Sequence, residues 1–467
     1  MHRSWLRAGA LAAAAAMVCL VAPAHAATRL SLDRAVATAL ANHPRVVAAR
    51  AVVSVARAQV DEARFAELPS GGVSGQINHS TGNSVPGSFY ATPFIPSVSG
   101  SPIGRALTGD VWQSGAALWG DIDLTGFPQK LAIADAASAN RAGATAALHT
   151  RELQTAFDVA SGFLALLAAH EQVRAAQANV DRARTFATVV KSLVDQNLRP
   201  GADASRVDAD VALAQTQVAR AEELEGIRRA ELAEAIGAPN DQIDVEPGGL
   251  LRPIGDAEPG VPDVPVAAHP LVLERIFAVD RARALGRAAR YEYLPRVDFV
   301  ASLWARGSGA YANSLDLGSM TGALPDTPNY AVGFVVSWSL LALPQVNARN
   351  RAADARTAEA IARRDDVALA VTGQVAQARA MLEGARRVAR STPVALDAAR
   401  AAESAAVARY RAALVSVLDV ADAQRVLAQA EIEDALARLD ARRALLYLAR
   451  ATGDLEPFFA DARRGGP

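Results

Sequence analysis

The chain has 467 residues, a formal net charge of -1, and is 51% hydrophobic but only 5% aromatic. That length is ample for a buried core, yet an apolar share made mostly of Ala and Val suits closely packed helices better than an aromatic-filled interior. No basic stripe or domain of the kind nucleic-acid binding requires is present.

Arg3 and Arg7 precede an apolar run from Ala8 to Ala22, followed by Ala24-His25-Ala26. This pattern predicts a signal peptide, residues 1–26, cleaved after Ala26, because the run is short for a bilayer span and ends in a small-x-small site. Cys19 lies inside the run behind Val18, where lipid attachment needs a small residue, so the expected mature chain is not lipidated and has no cysteine for disulfide or thiol chemistry. No later apolar run reaches the length of a membrane helix. An exported chain of this kind is periplasmic, secreted or a β-barrel.

Leu30 to Glu67 reads as helix, with Ser31 as a candidate cap, a break at His43-Pro44 and an end at Leu68-Pro69. Two strands follow, at about 70–80 and 110–125. Val73, Gly75 and Ile77 alternate with Ser74, Gln76 and Asn78, and Leu118, Ile122 and Leu124 alternate with Asp121 and Asp123. The second half repeats this order. His43-Pro44 recurs as His269-Pro270 and Pro69 as Pro295, both at an offset of 226; Pro128 recurs as Pro344 and Gly237 as Gly453, both at 216. Matched landmarks in order imply a duplication, with a ten-residue length difference in the intervening loop. The repeats are 27–237 and 266–455, joined by a Pro/Gly-rich linker, 238–265, and followed by a loose tail, 456–467.

Strands in the second half are expected at about 296–306 and 330–341. Val297, Phe299, Ala301 and Leu303 lie on one face, as do Tyr330, Val332, Phe334 and Val336. Period-two patterning fits a barrel strand or a half-buried soluble sheet; Trp112, Trp304, Tyr330 and Trp338 near strand ends favour membrane interfaces. Four strands cannot close a barrel, so a membrane reading requires protomers to pool them. Asp121 and Asp123 fit either a barrel lumen or a wet strand edge.

Gln345 to Ala412 is broken only by Gly373, Gly384 and Pro393, and at 1.5 Å per residue it would extend roughly 100 Å. Tyr410 to Asp422 reads as the point where this long helix reverses, with Asp419 and Asp422 three apart just beyond it. Repeated around the axis of an oligomer they would form carboxylate rings; alternatively they are solvated carboxylates at a helix N-terminus. The scattered histidines, His43, His79, His149, His170 and His269, show no metal-ligand spacing. No Ser-His-Asp order, phosphate loop or zinc motif appears, so no catalytic residue, metal or cofactor is expected.

Four stretches together resemble the TolC family of outer-membrane efflux and secretion channels: LSLDRAVATALANHPRVVAAR, the Leu-Pro junctions, RYRAALVSVLDVADAQRVLAQAE, and the repeat endings AIGAP and ARATGDL. The resemblance implies a mainly α fold with a β-barrel part. It further implies a homotrimer with four strands per chain in a twelve-stranded barrel, a long α-helical tunnel crossing the periplasm, and partners that are a periplasmic adaptor and an inner-membrane pump. It implies a periplasmic gate at Asp419, Asp422, Tyr410 and Arg438, and adaptor-docking tips at Pro200, Gly201, Ala413, Leu414, Val415 and Ser416. Ala413 stands at a usual glycine position, and Val415 where a second latch arginine is found. Implied function is a passive exit duct of a tripartite efflux pump or type I secretion system. The other class of reading is a periplasmic coiled-coil scaffold or adaptor without a pore, but duplication and four strands favour the duct.

Overall fold

In the computed structural model, residues 28–81, 110–239, 243–252, 265–311, 314–315 and 320–463 are described. The expected signal peptide, Cys19, most of the first interstrand loop and residues 464–467 lie outside them. A short β1 (Thr28–Leu30) leads into α1 (Leu32–Asn42) and α2 (Pro44–Phe65), then β2 (Ser70–Thr81) and β3 (Asp110–Asp123). Next come the 69-residue α3 (Phe127–Asp195), the 36-residue α4 (Gly201–Ile236) and β4 (Ile243–Val245). The second half runs α5 (Pro270–Tyr291), β5 (Arg296–Ser308), the small β6 (Ala310–Tyr311) and β7 (Ser314–Leu315), and β8 (Thr327–Ser337). It continues through α6 (Leu343–Arg411, 69 residues) and α7 (Val417–Thr452, 36 residues) to α8 (Glu456–Arg463).

The helices of the two halves match in length, 69 residues for α3 and α6 and 36 for α4 and α7. Both long helices and both return helices begin 216 residues apart, at 127 and 343 and at 201 and 417. The His-Pro and Gly landmarks now have a cause. His43 and His269 cap α2 and α5, their Nδ1 atoms accepting from Arg45 N at 3.1 Å and Leu271 N at 3.2 Å. Pro at the first helical position loses no intrahelical bond. Gly237 and Gly453 end α4 and α7 at φ 88° and 84°, a left-handed cap that favours Gly. Each glycine packs against its repeat's His: a Cβ on Gly237 would lie 3.6 Å from His43, and one on Gly453 2.9 Å from His269.

Strands β2, β3, β5 and β8 form one antiparallel sheet in that order, leaving β2 and β8 each with an open side. Register aligns Val73, Leu118, Leu303 and Tyr330 in one row, and Ile122, Phe299 and Phe334 in another, on one apolar, largely exposed face. The opposite face carries Asp121, Asp298, Ser302, Trp119 and Trp304. Trp304 therefore does not join a lipid-facing belt; it pairs with Ala117 and Asn329 on the inner face and is only 8% exposed. Trp338, exposed, lies just beyond β8, which runs 327–337 rather than 330–341.

Below the sheet, α2, α3, α5 and α6 pack side by side in the order of the strands. Farther away, α4 replaces α2 beside α3, and α7 stands between α3 and α6. The wall is thus four helices wide and about 100 Å long, from 69 residues at 1.5 Å each. Small side chains let helices approach: Gly162 lies against Leu232, and Ala132, Ala136 and Ala146 are buried in the seam.

Two further details differ from the sequence reading. Ser31 sits at the start of α1 without a side-chain capping bond. The expected loose tail is helical from Glu456 to Arg463; Phe458 is fully buried there, and Asp461 pairs with the buried Arg442. Arg442 also donates from Nε to Leu250 O at 3.0 Å, fastening α7 and α8 to the 3-10 turn Gly248–Leu251. With the parallel β1–β4 pair, these pieces form a small packed unit at mid-height of the wall, which orders part of the Pro/Gly-rich linker.

Candidate functional site at the helix reversals

Both long helices end in the same way. Asn197 and Ala413, 216 apart, take φ 56° and 60°. The next amides reach back, Leu198 N to Leu193 O and Leu414 N to Arg409 O, both at 2.9 Å, so the last carbonyls are satisfied before the chain turns. Asn tolerates this conformation; Ala costs about 1–2 kcal/mol there. The two turns hold out Leu198 and Leu414, 64% and 74% exposed, at equivalent positions. Pro200 precedes α4, which begins at Gly201. Ser416 precedes α7 and closes a capping box with Asp419.

Tyr410 joins the two reversals. It is fully buried in a small core with Phe186, Val190, Val207, Val417 and Val420, which draws on all four long helices. Its hydroxyl donates to Asp203 Oδ2 at 3.2 Å. Arg199 Nη2 donates to the carbonyl oxygens of Tyr410 at 2.8 Å and Val415 at 3.3 Å, and its guanidinium stacks 4.3 Å from the Tyr410 ring centre. The Phe186 ring meets the same ring edge-on at 5.3 Å. Burial, and then the Asp203 charge, push the Tyr410 phenol above its ordinary value, with Arg199 opposing, so it stays a donor.

Arg199 and Asp203 were missed in the sequence reading. The signal was the 216 offset, which places Arg199 opposite Val415 and Asp203 opposite Asp419. The arginine absent at 415 stands at the matching position of the other repeat and reaches back to the Val415 carbonyl.

The other expected gate residues are placed differently. Asp419 Oδ2 accepts from Ser416 N at 2.8 Å and Ser416 Oγ at 2.6 Å. These bonds, the hydroxyl first, hold its carboxyl below the ordinary range. Asp422 is exposed and loosely paired with Arg425 at 3.5 Å. Arg438 is not brought to the tip. It lies 19 residues past Asp419 on the same helix, about 28 Å away, and pairs with the buried Asp434, which also accepts from Thr392 Oγ1 at 3.0 Å beside Pro393.

At the other end of the wall, Asp121 accepts from Ser70 Oγ, and Asp123 accepts from Gly126 N at 2.6 Å in the turn just before α3. Arg296 Nε bonds Asp298 at 2.9 Å and lies 3.6 Å from Asp123. Both aspartates sit on the inner face, tied into the strand–helix junction. His149 does share a face with Glu152, at 3.3 Å, contrary to the sequence reading, but no cluster suited to a metal occurs among the described residues.

An amphipathic open-edged sheet standing on a helical wall that ends in a latched double reversal defines the protomer fold of an outer-membrane channel with a helical tunnel and a barrel part. Residues 265–454 match the family described as outer membrane efflux protein. Pyoverdine export outer membrane protein OpmQ of Pseudomonas putida is 26% identical over 297 residues, 63% of this chain and 61% of OpmQ. Two solved structures share the fold. VceC of Vibrio cholerae is 17% identical, with a TM-score of 0.73 over 91% of this chain and 96% of VceC. The open MtrE channel of Neisseria gonorrhoeae is 18% identical, with a TM-score of 0.69 over 91% and 89%. Residues 265–454 thus carry the pattern of outer membrane efflux proteins, and the fold is that of these two channels.

Proposed function

We propose that three copies close into a passive exit duct, the outer-membrane component of a tripartite efflux pump or type I secretion system. The observation that carries this is the pair of open edges, β2 with α2 and α4 on one side, β8 with α6 on the other. A head-to-tail contact between unlike edges forms a ring when the rotation closes, and three four-stranded sheets give twelve strands. The apolar face then meets lipid and the polar face meets water. The two repeats, 27–237 and 266–455, are the structural units of each protomer.

The periplasmic gate is the Tyr410–Arg199–Asp203 latch, with Asp419 and Asp422 as carboxylate rings at the narrow end. Arg438 braces the Pro393 region of α6 instead. The exposed turns, Pro200-Gly201 and Ala413 to Ser416 with Leu198 and Leu414, are the docking tips for an adaptor carrying the pump.

Arg199→Ala tests the reading. It removes two charge-assisted bonds worth about 1.5–3 kcal/mol each and the ring contact. Single-channel conductance in planar bilayers is expected to rise several-fold by release of the constriction, with detergent-stable trimers retained. Unchanged conductance removes the latch; a monomeric, detergent-independent wild type removes the duct.

A further inference from the structure

Between α5 and α6, just below the barrel, runs a groove of about 620 Å³ lined by Arg275, Arg281, Arg349, Arg356 and Arg363 against only Glu292 and Glu359. Five guanidinium groups and two carboxylates leave three positive charges per protomer. The two glutamates are engaged, Glu292 with Arg349 at 3.0 Å and Glu359 with Arg363 at 2.6 Å. Arg281 donates to Asn140 Oδ1 at 3.0 Å. Arg275 and Arg356 make no ion pair among the described residues. Glu292 to Arg275 is 17 residues, so the groove is roughly 25 Å long.

Chirality tells which side of the wall it faces. In β5, Val297 carries its side chain on the apolar outer face and its carbonyl accepts from Leu124 N, next to β3. For an L-residue strand running from the helices into the barrel, that places β3 to the right of β5 seen from outside, and so α3 to the right of α5. On α5, Phe277 marks the α3 side, against Gly143, and Gly286 marks the α6 side, against Thr357. Advancing 100° per residue in a right-handed helix, Arg275, Arg281, Leu285 and Ala289 fall on the inner arc between those marks. Arg287, paired with Asp135 at 2.7 Å, falls on the outer arc.

We infer that this groove, repeated three times around the bore, is a binding belt for anionic cargo, small organic molecules bearing carboxylate or phosphate groups, on their way to the barrel. This rests on the duct reading above. Arg presents a planar fork matched to such groups, and a ring of one sign in a narrow bore concentrates the opposite charge.

The test uses the full-length protein in planar bilayers with a potassium chloride gradient, then with potassium glutamate as a carboxylate probe. The anion-to-cation permeability ratio is read from the reversal potential. Arg275→Glu with Arg356→Glu is expected to lower that ratio at least about two-fold in both salts, with trimers intact. The milder Arg275→Gln with Arg356→Gln is expected to shift it in the same direction, and decides the matter where the reversed pair fails to assemble. A ratio unmoved in a conducting variant overturns the belt and leaves the duct standing. A wild type that forms no channel overturns both.

Discussion

Tyr410 shows how far single residues were legible. Its place beside a reversal follows from the tip motif, but its partners Arg199 and Asp203 lie about 200 positions earlier, and only the repeat offset links them. Asp419 shows the opposite case. Ser416 and Asp419, three apart, form a capping box in the structure, which agrees with the alternative of a carboxylate at a helix N-terminus. His269 carries a pH prediction. It is 4% exposed, and burial, foremost, lowers its pKa from 6.5. The neutral ring is needed, since Nδ1 accepts from Leu271 N while Nε2 lies 3.5 Å from Arg450 O. With the folded value depressed, the unfolded chain takes the proton first as pH falls. Stability is therefore full above 6.5 and is lost from there down to the folded value. Thermal melts between about pH 7.5 and 5.5 are expected to show this loss. His269→Asn, which keeps a capping acceptor and does not titrate, is expected to flatten it.

At the scale of elements, helix and strand existence was readable because the periods of 3.6 and 2 are sustained over long runs. The C-terminal helix was not, since eight residues carry little periodicity; its order comes from Phe458 and the Arg442–Asp461 pair, which are tertiary contacts. The Pro/Gly-rich linker was likewise ordered in part by the β1–β4 pairing, which no local signal announces. The two helix-ending glycines look alike in sequence but differ in their surroundings. Both need a left-handed conformation, so Ala costs about 1–2 kcal/mol at either. At Gly453 the added Cβ would also meet His269 and Pro270, each at 2.9 Å, whereas at Gly237 the nearest atoms stand at 3.6 Å. Gly453→Ala is expected to lower the melting temperature clearly more than Gly237→Ala. Equal losses would show that the His269 corner yields freely.

For the whole molecule, the alternation of β8 was legible in sequence, but which face meets lipid depends on four strands in register and on where the sheet ends. Val332, Phe334 and Val336 are 62%, 68% and 66% exposed in a single protomer, a surface that water does not favour and a bilayer does. Asn329 lies on the other face, beside Trp304. A ring of three therefore makes an asymmetric demand on two positions only three residues apart. Val332→Arg places a guanidinium toward hydrocarbon at a cost of about 2–4 kcal/mol per protomer at mid-depth, which threefold repetition multiplies. Asn329→Arg places the same group toward water. Outer-membrane fractionation with unheated gel electrophoresis is expected to show trimers lost for Val332→Arg and kept for Asn329→Arg. The reverse pattern would mean that the sheet is turned the other way round, and that the arginine groove between α5 and α6 opens outward rather than into the bore.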